Sequence, residues 1–258
     1  AIIVAAGYEP GMMPLIQDRP KAMLDIKGKT LLERQIDTLN ACGVKDVAVV
    51  RGYKKEAFHL TTPRYYDNDH YESTSEVVSL FCAEPELRGR VVVMYSDVLF
   101  DQGILEKLLK AEGDVNIVVD RAWYDHMRAG QPAERPYEDL VITRRPPSGG
   151  YRYLAGEGSS PVVRIGHDLP REDCDGEFVG LMMLSPEGVR ALRAAYQEAR
   201  DNPDAPLHEA PGLRQAKLTD LIQKLVDNGT EVHAVDVYKG WTEIDTFEDY
   251  QRAWATLR

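Results

Sequence analysis

Ile2-Ile3-Val4-Ala5-Ala6-Gly7 runs from an apolar strand into a small-residue turn, and fourteen positions after the glycine comes Lys21, in Asp18-Arg19-Pro20-Lys21. A short apolar run stopped by glycine fits a strand buried on both faces. The Ala-Ala-Gly turn offers backbone N–H groups that no bulky side chain shields, so they can cradle a phosphate chain. A lysine returning to the same place can neutralise an α-phosphoryl group under attack. Ala5, Ala6 and Gly7 are therefore candidate nucleotide-binding residues, and Lys21 is the candidate catalytic residue. Neither GxGxxG nor GxxxxGK[ST] occurs here, which removes the dinucleotide and P-loop readings. Asp25-x-x-Gly28-Lys29 follows and strengthens the pattern.

Outward from that stretch, helix-like and strand-like segments alternate, the pattern of one α/β domain over residues 1–258. Thr30-x-x-Glu33 is a capping box opening an amphipathic helix that ends near Gly43. A strand is expected at 44–50, a short helix at 54–60 and a polar, Tyr-rich stretch at 61–71. Ser73-x-x-Glu76 looks like a second capping box, starting a helix to about 87. Residues 91–95 form a continuous apolar strand, 103–112 a helix and 115–120 a strand. Residues 121–176 are rich in Pro, Gly and charge. They read as an insertion with short antiparallel strands at 141–144, 151–154 and 162–166, folded over the site from the sheet's edge. A core strand returns at 178–184. Ser185-Pro186 caps a helix to about 202. A helix at 218–228 stops at Gly229, a strand spans 232–238, and a last helix spans 246–257.

The net charge of −11 argues against a nucleic-acid partner. Against it, Arg19, Lys21, Lys27, Lys29 and Arg34 cluster, a local positive field suited to a small anion, or else a solvated helix face. No apolar run spans a membrane and no signal peptide is evident, so a cytoplasmic location is expected. Cys42, Cys82 and Cys174 lie far apart and read as reduced, mostly buried thiols. The six histidines lack zinc-site spacing. The chain opens in a strand without Met, the start expected of a piece of a longer protein.

Arg51-Gly52-Tyr53, Tyr95-Ser96-Asp97, Glu177-Phe178-Val179-Gly180, Leu218-Thr219-Asp220-Leu221 and Trp241-x-Glu243-Ile244-Asp245 follow the Ala-Ala-Gly turn and Pro20-Lys21 in order. With these motifs the whole chain resembles the sugar-phosphate/phosphocholine-type nucleotidyltransferase superfamily. It looks closest to the cytidylyltransferases that activate phosphonates or phosphocholine. The resemblance implies a Rossmann-like three-layer α/β domain, its sheet mostly parallel with a small inserted antiparallel sheet. It implies Mg²⁺ held by Asp97 and Asp245, with Glu243 behind them. It implies CTP as donor near Ser75 and Ser96, and a small phosphonate or phosphate acceptor near Glu177, Gly180, Asp220 and Trp241. The expected acceptor is 2-hydroxyethylphosphonate or 2-aminoethylphosphonate. Some phosphonate enzymes of this type are fused behind a phosphoenolpyruvate mutase domain, a fusion that would suit the missing start.

Several of these positions have a second reading. A carboxylate ending a strand, as Asp97 does, points into the crevice where open α/β sheets bind ligands, and Mg²⁺ favours one or two such groups plus phosphate oxygens. Asp97 also suits a turn or helix cap. Thr246 and Asp249 form a capping box, so Asp245 also suits the helix dipole. Thr219-Asp220 is an ordinary helix start. Ser75 is divided between a base contact and local structure. Tyr65, Tyr66, Tyr71, Trp123 and Tyr124 line an acceptor pocket or pack in the fold. The family loop usually carries Gly and Arg where this chain has Glu9 and Gly11, which leaves Arg19 as a candidate replacement. Two rivals stand beside the phosphonate reading: a phosphocholine or sugar-1-phosphate nucleotidyltransferase, and a nucleotide-binding regulatory domain without activity.

Overall fold

The computed structural model describes residues 1–123, 139–144 and 159–256. Its centre is a nine-stranded sheet. In chain order the strands are β1 (Ile2–Ala5), the hairpin β2 (Asp25–Ile26) and β3 (Lys29–Thr30), β4 (Ala48–Arg51), β5 (Arg64–Asp67), β6 (Val91–Tyr95), β7 (Val98–Phe100), β8 (Val115–Asp120), β9 (Leu140–Thr143), β10 (Ser160–Gly166), β11 (Gly176–Leu184), β12 (Val232–Val237) and β13 (Trp241–Glu243). The main sheet runs β5-β4-β1-β6-β11-β8-β12-β10-β9, while β7 and β13 pair in a separate ribbon. From β1 the chain moves outward through β4 to β5, then returns to β6 on the other side of β1. That reversal creates a crevice at the carboxyl ends of β1 and β6.

The helices are α1 (Leu31–Ala41), α2 (Glu76–Cys82), α3 (Gln102–Lys110), α4 (Pro186–Asp201), α5 (Leu218–Asp227) and α6 (Phe247–Thr256). Alternation along the strands divides the core between two helical layers. Ile3, Ala5, Val92 and Val118 pack with Leu32, Ile36, Leu39, Leu105 and Leu108 of α1 and α3. Ile2, Val4, Val93 and Ile117 pack with Val77, Leu80, Leu192, Leu221 and Leu225 of α2, α4 and α5. The three-layer expectation therefore holds.

Seven of the nine strands run in one direction and two run against them. β11 runs antiparallel to both β6 and β8 in the middle of the sheet, and β10 runs antiparallel to β12, so the sheet is mixed. Parallel neighbours need a crossover, usually a helix, and the chain reaches β11 from β9 and β10 instead. Those two strands form no separate small sheet. They extend the main one, β9 pairing with both β10 and the start of β11. The strand expected at 151–154 lies outside the described residues, as do Tyr124 and the final residue of the last helix. The Tyr-rich stretch contains β5, and the helix expected at 54–60 is a single 3₁₀ turn, Lys55–Ala57. No helix of the described residues is long and apolar enough to cross a membrane. All three cysteines are free thiols, but only Cys174 is buried.

Local capping chemistry sets several helix starts. Thr30 and Glu33 complete the expected box on α1. Ser185 accepts from the N–H groups of Glu187 and Gly188, each at 3.1 Å, and Pro186 opens α4. Ser185→Ala should therefore cost about 1 kcal/mol. Urea denaturation should show a lowered midpoint with an unchanged slope.

Candidate active site

The Ala5-Ala6-Gly7 turn leaves the sheet beside Ser96-Asp97, because β1 and β6 are parallel neighbours with Val4 opposite Tyr95. Arg51-Gly52-Tyr53 leaves β4 on the other flank, and the Tyr53 N–H donates to the Ala6 carbonyl at 3.0 Å. The two turns touch backbone to backbone. A Cβ on Gly52 would lie 2.5 Å from the Ala6 oxygen and 2.7 Å from the Tyr71 Cβ. Sequence reading placed Gly52 in a motif without giving it a task. Its task is to let this turn close against the Ala-Ala-Gly turn.

The ribbon of β7 and β13 carries the second half of the site. Val98 lies opposite Glu243, and the Ile244 N–H donates to the Asp97 carbonyl at 3.0 Å. Residues far apart in sequence therefore meet: Asp97 immediately before β7, Glu243 at the end of β13 and Asp245 just beyond it. Thr246 and Asp249 form the expected capping box on α6, and the Asp249 carboxylate also accepts from the Asp245 N–H at 3.3 Å. The Asp245 side chain is left out of the cap. It turns to Lys21.

Lys21 lies in a 3₁₀ turn, Lys21–Met23, whose Ala22 and Met23 are buried against the α1 layer. Its Nζ is 2.7 Å from Asp97 Oδ2 and 2.6 Å from Asp245 Oδ1. The lysine side chain is 12% exposed and that of Asp97 19%. Burial pulls the ammonium pKa down, but Asp97 and Asp245 outweigh it and hold the group above the ordinary lysine range. Burial raises the Asp97 carboxyl, with Lys21 opposing and Asp245 adding to the rise. Burial, then Asp245 and Asp97, push Glu243 well above the usual carboxylate range. Asp97 Oδ1 is buried without a hydrogen-bond partner. Three carboxylates thus crowd one lysine, and an all-oxygen donor set with an orphaned oxygen suits a hard divalent cation such as Mg²⁺.

Glu76 corrects the second expected capping box. Ser73 donates to the His70 carbonyl, and α2 starts at Glu76 with Ser75 as N-cap residue. The half-buried Ser75 makes no side-chain cap bond, while its N–H donates to the Arg214 carbonyl at 2.7 Å. Glu76 Oε2 accepts from the Tyr95 hydroxyl at 2.7 Å and from the Leu218 N–H at 2.8 Å. Ser96 is buried where β6 ends.

Among the expected acceptor residues, the buried Glu177 lies within electrostatic reach of Glu243. Gly180 occupies an irregularity of β11 at φ +75°, with the Tyr95 ring against its α-carbon, so its requirement is packing. Trp241 donates its indole N–H to Asp120 at 2.8 Å. Asp220 is 3% exposed and accepts from the N–H groups of Glu209, Ala210 and Lys217. It organises the start of α5, which corrects the expected acceptor contact. His208 and Glu209 approach Asp220, but backbone N–H groups of His167 and Asp168 occupy the Glu209 carboxylate.

The expected basic cluster disperses. Arg19 pairs twice with adjacent Asp18 at 2.9 Å, with both side chains exposed. Lys29 pairs with Asp37, Arg34 bonds the Ile26 carbonyl, and Lys21 alone of the five enters the carboxylate cluster. The aromatic residues also part company. Tyr65 packs on Phe58, the Tyr66 hydroxyl donates to Glu86, Tyr71 meets Tyr53 edge-on, and Trp123 packs with Leu140, Leu169 and Cys174.

Residues 1–214 match the family model of the MobA-like NTP transferase domain. Over 97% of its length the chain is 27% identical to CTP:phosphoglutamine cytidylyltransferase of Campylobacter jejuni, covering 97% of that protein. Over 41% of its length it is 32% identical to 2-aminoethylphosphonate cytidylyltransferase of Lancefieldella rimae, covering 46% of that protein. The solved CTP:phosphocholine cytidylyltransferase of Streptococcus pneumoniae superposes with a TM-score of 0.67 at 18% identity, covering 100% of this chain and 98% of the other. At that identity the likeness carries the fold.

The contact between the two turns makes a direct prediction. Gly52→Ala should cost about 1–3 kcal/mol through overpacking. Differential scanning calorimetry should show a lowered Tm, and an unchanged Tm would refute the backbone contact.

Proposed function

Because this chain belongs to the MobA-like NTP transferase family, we propose that it transfers CMP from CTP to a small acceptor bearing a phosphonate or phosphate, releasing pyrophosphate. The observation that carries the reading is the convergence of Lys21, Asp97 and Asp245 beside the Ala-Ala-Gly turn, at the reversal point of the sheet. CTP is favoured among the nucleotides by the cytidylyltransferase names of the relatives. A regulatory domain that only senses nucleotide would not need this set of paired charges.

In this reading an acceptor oxygen attacks the α-phosphorus in line with the departing pyrophosphate. No protein nucleophile is required, and catalysis consists of positioning and charge neutralisation. Asp97 and Asp245 would hold Mg²⁺, which supplies positive charge to the phosphates when bound. The Ala5-Ala6-Gly7 backbone receives the phosphate chain, and Ser75 with Ser96 borders the nucleotide.

For the acceptor we favour 2-hydroxyethylphosphonate or 2-aminoethylphosphonate over phosphocholine. A quaternary ammonium calls for several aromatic faces around it, and Tyr65, Tyr66 and Trp123 are each engaged elsewhere. Glu177, near the metal-side carboxylates, suits a hydroxyl or primary amine instead. Phosphoglutamine is a second reading, supported by the full-length relative of that specificity.

Acceptor choice is tested with CTP, Mg²⁺ and inorganic pyrophosphatase, reading phosphate release across a panel of acceptors and four NTPs. Turnover should be fastest with CTP and one of the two phosphonates. Faster turnover of phosphoglutamine would select the second reading, and faster turnover of phosphocholine or a hexose 1-phosphate would overturn both. A separate prediction concerns the carboxylates. Asp97→Asn and Asp245→Asn should each lower Mg²⁺-dependent turnover by about 10²-fold or more, with a double variant little worse than the more impaired single, because both act on one ion. Losses that multiply would contradict a shared metal.

A further inference from the structure

Lys21 sits on the two carboxylates that a divalent cation would need. The ammonium lies 2.7 Å from Asp97 Oδ2 and 2.6 Å from Asp245 Oδ1. These are the carboxylates that the proposed function assigns to Mg²⁺, and the present inference rests on that assignment. Mg²⁺ draws its oxygens in to about 2.0–2.1 Å and demands nearly octahedral geometry. An ammonium and a dication held by the same two carboxylates repel each other at close range.

We propose that Lys21 is a built-in counter-ion that occupies the metal site of the nucleotide-free protein and vacates it only when a nucleoside triphosphate arrives. Metal and nucleotide then bind as linked partners, and the metal alone binds poorly. The triphosphate is what makes the exchange possible, because its phosphates give the ammonium another anion. The Ala5-Ala6-Gly7 turn stands at the neighbouring strand end to receive them.

The surroundings fit an exchange confined to one side chain. Pro20 precedes the lysine, and buried Ala22 and Met23 fix the backbone immediately after it. Only the flexible stem of Lys21 has to move. Asp97, Glu243 and Asp245 face either the ammonium or the incoming dication, never one another alone. Asp97 Oδ1, which the lysine leaves without a hydrogen-bond partner, is a further oxygen for a metal but not for this ammonium.

The test uses Mn²⁺ as the probe, with binding read by electron paramagnetic resonance and thermal unfolding rather than turnover. Without nucleotide, Lys21→Met should bind Mn²⁺ about tenfold or more tightly than wild type. Mn²⁺ should also raise the Tm of the variant but leave that of wild type nearly unmoved. Lys21→Gln keeps a hydrogen-bond donor between the carboxylates should the Met variant fold poorly, and it carries the same expectation. Equal or weaker Mn²⁺ binding by the folded variants overturns the exchange. Adding Asp97→Asn to Lys21→Met should remove the gained affinity. If the gain survives that change, the ion sits elsewhere, and the metal assignment falls together with the exchange. Wild-type protein that retains Mn²⁺ binding with CTP but shows no gain on loss of Lys21 would sink the exchange alone.

Discussion

Half-buried carboxylates that crowd together need a cation among them, and here that cation is Lys21. Removing two charges from water costs several kcal/mol per ion unless they pair well. The protein meets that demand with contacts of 2.6 and 2.7 Å from one ammonium to two chain segments. Much of the architecture around the crevice serves the meeting. The β7–β13 ribbon brings Asp97 to Glu243 and Asp245, the Thr246–Asp249 box starts α6 just past Asp245, and buried Ala22 and Met23 hold the lysine's turn.

Charge balance in the crevice differs from charge balance along the chain. Five basic residues close in sequence look like an anion site, but each cation answers to the nearest partner in space. Arg19 is spent on Asp18 and Lys29 on Asp37, both at the surface. The Lys21 site holds more carboxylates than cations, so a polyanionic substrate needs positive charge brought with it. Glu9 and Gly11 in the loop add no positive charge to it.

Features set by local chemistry were legible in the sequence. The boxes at Thr30–Glu33 and Thr246–Asp249 and the cap at Ser185 formed as their spacing requires, because their partners lie within four residues. The same spacing misled at Ser73–Glu76, where the Glu76 carboxylate found the Tyr95 hydroxyl and the Leu218 N–H instead. Strand positions were legible in apolar runs, but an apolar run carries no direction, so the antiparallel course of β11 was not. Asp97, Lys21 and Asp245 stood out by motif order. That Asp97 and Asp245 meet was implied by the resemblance alone, and the Lys21 ion pair with both had no sequence signal. Asp220 suited a ligand but suited a helix start better, and three backbone N–H groups occupy its carboxylate.

A single oxygen of Glu76 ties together parts of the molecule that belong to different layers. The strand leading to Ser96 and Asp97 holds it through Tyr95, α5 holds it through the Leu218 N–H, and α2 carries it beside Ser75. An oxygen shared by two donors transmits displacement, because neither donor can withdraw without leaving a buried polar group unmet. The mouth of the crevice is therefore braced like a tripod, and a tilt of α2, of α5 or of the end of β6 strains the other two.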